Sequence, residues 1–179
     1  MPAPFLFGFG RIETMRIETA TERDIDAIVE LWNEMMMLHA ELDERFELAE
    51  DARAAYERYL RFGLNESNQR VLVARDGDTL VGYISAEIKN HPPVYQISKY
   101  GEIGEIAVAV SHRRRGAGGA LVAAAGDWLR ERGIQHVTAA AASCNEDAIC
   151  FWTKQGFEGY FTVMAAEVGP AVDENDERQ

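Results

Sequence analysis

The stretch 111-SHRRRGAGGAL-121 places three consecutive arginines just before three closely spaced glycines. It follows the apolar run 103-IGEIAVAV-110 and leads into a segment with apolar residues at helical spacing. The pattern predicts a strand, a turn, and an amphipathic helix over about 117 to 132. The first N–H groups of such a helix have no intrahelical acceptor, so the turn presents unpaired donors where positive charge is concentrated.

The side chains of this turn suit a phosphate ligand. Three glycines lack the Cβ atoms that would hold a large anion away from the amides, namely Gly116, Gly118 and Gly119. Three arginines add fixed charge suited to phosphate oxygens, namely Arg113, Arg114 and Arg115. On charge alone a solvated basic turn is the alternative, but the position between a strand and a helix favours an anion site. We therefore predict binding of a phosphate group, with a pyrophosphate as the best fit.

Length and composition exclude several classes of protein. A chain of 179 residues predicts one globular domain, and its net charge of -12 argues against nucleic acid or an anionic membrane surface as a partner. The sequence contains no apolar run long enough to span a membrane. Its two cysteines are too few for a disulfide framework, which favours a cytoplasmic location. The four histidines are scattered without ligand spacing, so we expect no metal site.

The order of predicted elements is a strand, two helices, three strands, a helix, a strand, a helix and a last strand from Phe157 onward. Thr21 and Asp24 form a candidate capping box at the start of the first helix, and Asp76-Gly77-Asp78 is the turn of a β-hairpin. Later elements are predicted over 136–142 and 146–155. The order indicates a mixed α/β domain with an antiparallel first half.

The two ends of the chain differ from the centre. The tetrapeptide RIET occurs at 11–14 and again at 16–19, and the second copy leads directly into the first helix. We therefore expect residues 1–14 to be a flexible extension and 15–168 to be the domain. Residues 169–179 are acidic with few apolar side chains, which predicts a solvated, disordered tail.

Two segments resemble the GNAT superfamily of acetyl-CoA-dependent N-acetyltransferases. The motif Q/R-x-x-G-x-G/A is filled by Arg113, Gly116 and Gly118, and 145-NEDAICFWTKQGF-157 is similar to a later family segment. The resemblance implies a single-domain α/β GNAT-like fold with a mixed central β-sheet of about six to seven strands and about four flanking helices. It also implies that the sheet splays between the fourth and fifth strands.

The resemblance further implies roles for individual residues. Backbone groups of Val108 and Val110 would pair with the pantetheine arm of acetyl-CoA, and Asn145 would contact the same arm. The pyrophosphate would bind a run of backbone amides, namely those of Arg114, Arg115, Gly116, Ala117, Gly118, Gly119 and Ala120. Acetyl-CoA is then a co-substrate with an amine acceptor, and a homodimer is compatible with the family.

Direct attack by an amine requires a proton acceptor. Glu105 is the first choice for this catalytic base and Glu102 the second, and we expect at least one of them to face solvent. Trp152 stands where the family often has a tyrosine acid, so the acid is left open between Cys150, Tyr160 and solvent. Two hypotheses follow: an N-acetyltransferase acting on a small-molecule or peptide amine, and a catalytically weak acyl-CoA sensor.

Overall fold

The computed structural model describes residues 15–166. The predicted extension 1–14, the domain boundary at 168 and the predicted tail 169–179 all lie outside those residues. The strands are β1 Met15–Thr19, β2 Gln69–Asp76, β3 Thr79–Asn90, β4 Lys99–Val108 and β5 Val137–Ala139. The α-helices are α1 Ile25–Leu42, α2 Ala52–Gly63, α3 Ala117–Glu131 and α4 Glu146–Lys154.

The start of α1 confirms the predicted capping box. The Thr21 backbone N–H donates to Asp24 Oδ2 at 2.8 Å, and the Thr21 hydroxyl donates to the same oxygen at 3.0 Å. Asp24 is buried and also pairs with Arg75 of β2. The cap therefore satisfies the open end of the helix and ties it to the sheet.

The strands form one mixed sheet in the order β1-β2-β3-β4-β5. The first four strands pair antiparallel. Helix α3 connects β4 to β5, and these two strands run parallel to each other. The β4–β5 pairing covers only Gly101–Val137, Glu102–Thr138 and Ile103–Ala139. This pairing ends at Ile103 and Ala139, so β4 continues to Val108 beyond its last partner in β5 among the described residues.

The described residues form five strands, and the expectation of six to seven was wrong. The missing element is the strand predicted from Phe157 onward, because residues 157–166 have no regular secondary structure. β5 is only three residues long, so its outer edge offers few groups for a further strand to pair with. The apolar side chains of this segment remain exposed, namely Tyr160, Phe161, Val163 and Met164.

The sheet separates two hydrophobic clusters. One packs α3 and α4 against the sheet, and its largest members include Leu121, Trp128 and Trp152. The other packs α1 and α2 against the opposite face and contains Trp32 and Tyr83. The polar groups described next lie on the α1–α2 side.

Candidate active site

An irregularity in the β3–β4 pairing positions Glu105. The register shifts between Ile84 and Ala86, which face Ile106 and Ile103, so Gly104 and Glu105 together lie opposite Ser85. This arrangement is a β-bulge, which bends a strand and redirects a side chain. A Cβ at Gly104 would lie 2.8 Å from Ser85 Oγ, so glycine leaves the space that the serine hydroxyl occupies.

Ser85 holds Glu105 through two hydrogen bonds. The Ser85 hydroxyl donates to Glu105 Oε2 at 2.7 Å and accepts the Glu105 backbone N–H at 2.9 Å. Burial raises the pKa of Glu105, and hydrogen bonding by Ser85 and the neighbouring Tyr56 hydroxyl offsets only part of that increase. The geometry therefore gives a fixed carboxylate with a greater proton affinity than an exposed glutamate has.

Glu102 lies in a different environment. Its carboxylate pairs with Lys89 Nζ, and the same ammonium lies 3.9 Å from Glu87 Oε2. Glu87 and Glu102 are direct cross-strand partners on β3 and β4. The ammonium of Lys89 therefore compensates the charge of Glu102, whereas the side-chain partner of Glu105 is the neutral hydroxyl of Ser85.

Aromatic side chains of α1, α2 and β3 form a cluster next to Glu105. Trp32 stacks on Tyr56 with ring centroids 4.1 Å apart and planes 6° from parallel. The hydroxyls of Tyr56 and Tyr83 are hydrogen-bonded to each other at 3.2 Å, and burial raises the pKa of both phenols. Burial also raises the pKa of Tyr59, with a further contribution from the negative charge of Glu105. A small cavity of about 60 Å³ extends from Tyr59 to the serine and the bulge.

The loop after β4 has the conformation that an anion site needs. A 3₁₀ turn over Val110–His112 leads to two left-handed residues, Arg114 with φ 61° and Gly116 with φ 90°. Helix α3 then begins at Ala117, as predicted. Among residues 15–166, no backbone carbonyl accepts a hydrogen bond from the amides of 114–119. These donors remain available beside the positive end of a helix.

One residue of the predicted amide run does not fit. The Ala120 N–H donates to the Gly116 carbonyl at 3.0 Å, which is the first hydrogen bond of the helix. Its amide is therefore engaged, and the run of available amides ends at Gly119. The glycines differ as well, since a Cβ at Gly118 would lie 3.0 Å from the Phe151 ring, whereas one at Gly119 would meet Gln155 at an ordinary 3.5 Å.

The Acetyltransferase (GNAT) family model matches residues 26–157. The chain belongs to this family. No match was found among the curated proteins. Among solved structures, the tetramutant of the BH1408 protein from Bacillus halodurans is 17% identical with a TM-score of 0.75, and the match covers 86% of this chain and 99% of that one.

Two further solved structures resemble this acetyltransferase. Aminoglycoside 6′-N-acetyltransferase AAC(6′)-IG from Acinetobacter haemolyticus is 20% identical with a TM-score of 0.69, covering 87% of this chain and 99% of that one. A predicted acetyltransferase with acetyl-CoA from Clostridium acetobutylicum is 17% identical with a TM-score of 0.69, covering 86% and 96%. These likenesses establish the GNAT fold.

The groups predicted to bind the pantetheine arm make hydrogen bonds within the chain. The Val108 carbonyl accepts a hydrogen bond from Arg113 Nε at 3.0 Å, and the Val110 carbonyl accepts the Arg113 backbone N–H at 3.3 Å. Asn145 caps α4 by accepting the Ala148 N–H at 3.0 Å. The cap uses the side-chain oxygen of Asn145 and leaves its amide nitrogen to donate.

The environments of Trp152, Cys150 and Tyr160 differ from that of Glu105. Trp152 is buried and packs edge-to-face against Phe157, with ring centroids 4.9 Å apart. It is therefore part of the core of the acetyltransferase. Cys150 is exposed, and Tyr160 is 77% exposed in the segment that follows α4.

Sequence reasoning missed Ser85 and the tyrosines of the site. The available signal was the alternation of 83-YISAEIK-89, in which every second residue from Tyr83 to Lys89 carries a polar group. Such a face predicts solvent exposure, but α2 and Tyr56 cover its first part. The bulge that directs Ser85 toward Glu105 has no separate signature in the sequence.

Neither a membrane-spanning helix nor a cluster of metal ligands occurs within residues 15–166. Within residues 15–166, no helix combines the length and apolar character needed to cross a bilayer. No group of three or more His, Cys, Asp or Glu side chains in that part of the chain could hold a metal ion.

Proposed function

We propose that this protein transfers the acetyl group of acetyl-CoA to the primary amine of a small molecule or peptide, with Glu105 as the proton acceptor. The observation that carries the proposal is the placement of the Glu105 carboxylate. It is half-buried, hydrogen-bonded by Ser85, and located just beyond Ile103, where the pairing of β4 with β5 ends.

An acceptor is needed because the amine is protonated in solution. An alkyl ammonium with a pKa of about 10 costs roughly 4 kcal/mol to deprotonate at pH 7. A carboxylate with an ordinary glutamate pKa is a weak base for this task, and the raised pKa of Glu105 brings it closer to the working range. Glu105 would receive the proton directly or through a water molecule.

The loop residues fit a pyrophosphate-bearing substrate. The open amides of 114–119 and the arginine side chains would hold the phosphates, while backbone groups of Val108 and Val110 and the Asn145 amide would contact the pantetheine arm. Acetyl-CoA supplies an acetyl thioester, and transfer forms the C–N bond as the C–S bond breaks. A thiolate with a pKa near 8.5 leaves without an enzymic acid, which is consistent with Trp152 in the core.

The charges beside Glu105 support a cationic acceptor. Three carboxylates lie near the Tyr59 hydroxyl, those of Glu105, Glu87 and Glu102. The ammonium of Lys89 is the positive charge near it. This surplus of negative charge would attract an ammonium group and disfavour an anionic acceptor. The structural likeness to an aminoglycoside 6′-N-acetyltransferase makes polycationic amines the first acceptors to test.

The second candidate is an acyl-CoA sensor with little turnover. The observation in its favour is that Trp152, at the usual position of the acid, is buried in the core. Turnover distinguishes the two candidates, because a sensor binds acetyl-CoA without releasing free thiol.

The test of the enzyme is CoA thiol release across polyamines, aminoglycosides, amino acids and peptides. With an accepted amine, Glu105→Gln should lower kcat/KM by about 10²- to 10⁴-fold and abolish the acidic limb of its pH profile. Glu102→Gln is the matched control and should retain that limb. If the two variants retain equal activity, Glu105 is not the base.

The phosphate loop is tested separately by Gly119→Glu against Gly119→Gln. The two side chains have the same size, and the space at Gly119 tolerates a Cβ. Only the glutamate places a negative charge among the open amides, so it should weaken acetyl-CoA binding far more than the glutamine does. Equal affinities would show that the pyrophosphate binds elsewhere.

We also propose a cytoplasmic location, where acetyl-CoA would be available and thiols stay reduced. Both cysteines, Cys144 and Cys150, are free and exposed. A homodimer stays a prediction, and its test is the molar mass in solution.

A further inference from the structure

A second cleft lies beside the C-terminal half of α3, far from the phosphate loop. It has a volume of about 350 Å³, within the range typical of small-molecule sites. Its walls include the apolar side chains of Leu72 and Ala124 and the indole of Trp128. Trp128 is eleven residues beyond the first residue of α3, which places the cleft roughly 17 Å along the helix axis from the loop.

Two arginines flank the indole. The guanidinium of Arg132 lies 4.6 Å from the Trp128 ring centroid, and that of Arg70 lies 5.8 Å from it. Within residues 15–166, neither guanidinium lies within ion-pair distance of a carboxylate. Of the two carboxylates that line the cleft, Asp127 pairs with Arg130, and only that of Glu131 remains to oppose the two arginines.

Hydrogen-bond donors in this cleft also lack acceptors. Trp128 is 93% buried, since its relative exposure is 7%, and its Nε1–H has no acceptor in the described part of the chain. The same holds for the buried Nε–H of Arg70. Buried donors are normally satisfied, so these two groups indicate an acceptor that the chain itself does not supply.

The guanidinium groups are only loosely held. Arg70 Nη1 donates to Thr19 Oγ1 at 3.4 Å, and Arg132 Nη1 donates to the Trp128 carbonyl at 3.3 Å. Both distances exceed the usual range for such bonds. Each guanidinium is therefore only weakly fixed in its present position beside the indole.

We propose that this cleft binds a small organic anion. Its carboxylate or phosphate group accepts hydrogen bonds from Arg70, Arg132 and the Trp128 indole, and its apolar part lies against Leu72 and Ala124. Guanidinium groups recognise both kinds of anion by paired hydrogen bonds, so the chemistry is shared. The site is separate from the proposed acetyl-CoA site, and it stands or fails independently of the proposed function.

The indole N–H resonances provide the test. The chain has three tryptophans, so the ¹⁵N–¹H spectrum of the intact protein has three indole signals, and Trp128→Phe assigns one of them. Benzoate is titrated as a carboxylate with an apolar body, inorganic phosphate as the alternative anion, and benzamide as the uncharged counterpart of benzoate. Each titration is repeated with saturating CoA, which occupies the other proposed anion site.

We expect a saturable shift of the Trp128 signal with benzoate or phosphate, unchanged by CoA and absent with benzamide. Arg70→Gln and Arg132→Gln should each weaken the affinity by about tenfold or more. Arg58→Gln is the matched control, because it removes the same charge from α2, on the opposite face of the sheet from the cleft. The proposal is overturned if neither anion shifts the signal, if CoA abolishes the shift, or if Arg58→Gln weakens binding as much as Arg132→Gln.

Discussion

Removing the hydroxyl of Ser85 tests the assignment of Glu105 without touching the carboxylate itself. Ser85 Oγ donates to Glu105 Oε2 at 2.7 Å and so stabilises the charged form. Ser85→Ala removes this donor, while the burial that raises the pKa stays in place. A hydrogen bond to a charged group contributes about 1.5–3 kcal/mol. Because one pKa unit corresponds to about 1.4 kcal/mol, the pKa of Glu105 should rise by roughly one to two units.

A base acts only when it is deprotonated, so the acidic limb of the kcat/KM profile should move to higher pH by the same amount. The assay is CoA thiol release against pH at an amine concentration well below KM. Ser85→Thr keeps a hydroxyl and should restore most of the original profile. Ser98→Ala is the matched control, because Ser98 lies in the exposed loop before β4 and makes no side-chain hydrogen bond within the described residues.

The reasoning is refuted if folded Ser85→Ala keeps the acidic limb of the wild type. Thermal unfolding of both proteins shows whether the variant is folded. A general loss of activity at every pH, without a shift of the limb, would instead indicate that Ser85 maintains the bulge and does not tune the carboxylate.

Four further outcomes follow from the packing and charges. Glu105→Gln should increase the free energy of unfolding in urea at pH 8 but not at pH 4. Because the pKa of Glu105 is raised in the folded protein, ionisation of this carboxyl destabilises the fold as the pH rises, and glutamine does not ionise. Asp24→Asn should cost about 1.5–3 kcal/mol at neutral pH, because Arg75 loses its charged hydrogen bond to Asp24 and keeps only its ion pair with exposed Glu18. Although burial opposes it, hydrogen bonding by Thr21 and Arg75 lowers the pKa of Asp24, so the penalty should shrink as pH falls below 3.8; an unchanged penalty in acid would contradict this. Gly118→Ala should destabilise the protein by crowding Phe151, whereas Gly126→Ala, with open space at its Cβ, should stabilise α3 by up to about 1 kcal/mol in thermal unfolding. Trp152→Phe should lower the melting temperature without moving the basic limb of the pH profile, because Trp152 is a core residue. A shift of the basic limb would show that Trp152 takes part in catalysis.

Local signals in the sequence predicted much of the fold. The capping box at Thr21, the hairpin turn at Gly77 and the start of α3 at Ala117 each depend on a few neighbouring residues, and the structure has all three. The strand predicted from Phe157 failed because strand formation needs a partner. Alternating apolar residues do not reveal that the available edge, β5, is only three residues long.

The candidate site was predicted unevenly for a similar reason. The phosphate loop is a continuous stretch, so its glycines and arginines were visible together in the sequence. The surroundings of Glu105 come from separate elements, with Ser85 on β3 and Tyr56 on α2. The contact of Glu105 with Ser85 depends on the bulge at Gly104, and residue types alone do not fix the position of a bulge.

The bulge has a consequence for how this protein can evolve. Gly104 and Glu105 together lie opposite Ser85, so deleting Gly104 would leave Ile103 and Ile106 on their present face of the sheet but would remove the bend that directs Glu105. The core face therefore does not depend on the bulge, whereas the direction of the base does. Residues on the exposed loop 91–98 can diverge while Glu105 keeps its position. The architecture separates a fixed centre of proton transfer from a periphery that is free to acquire new acceptors.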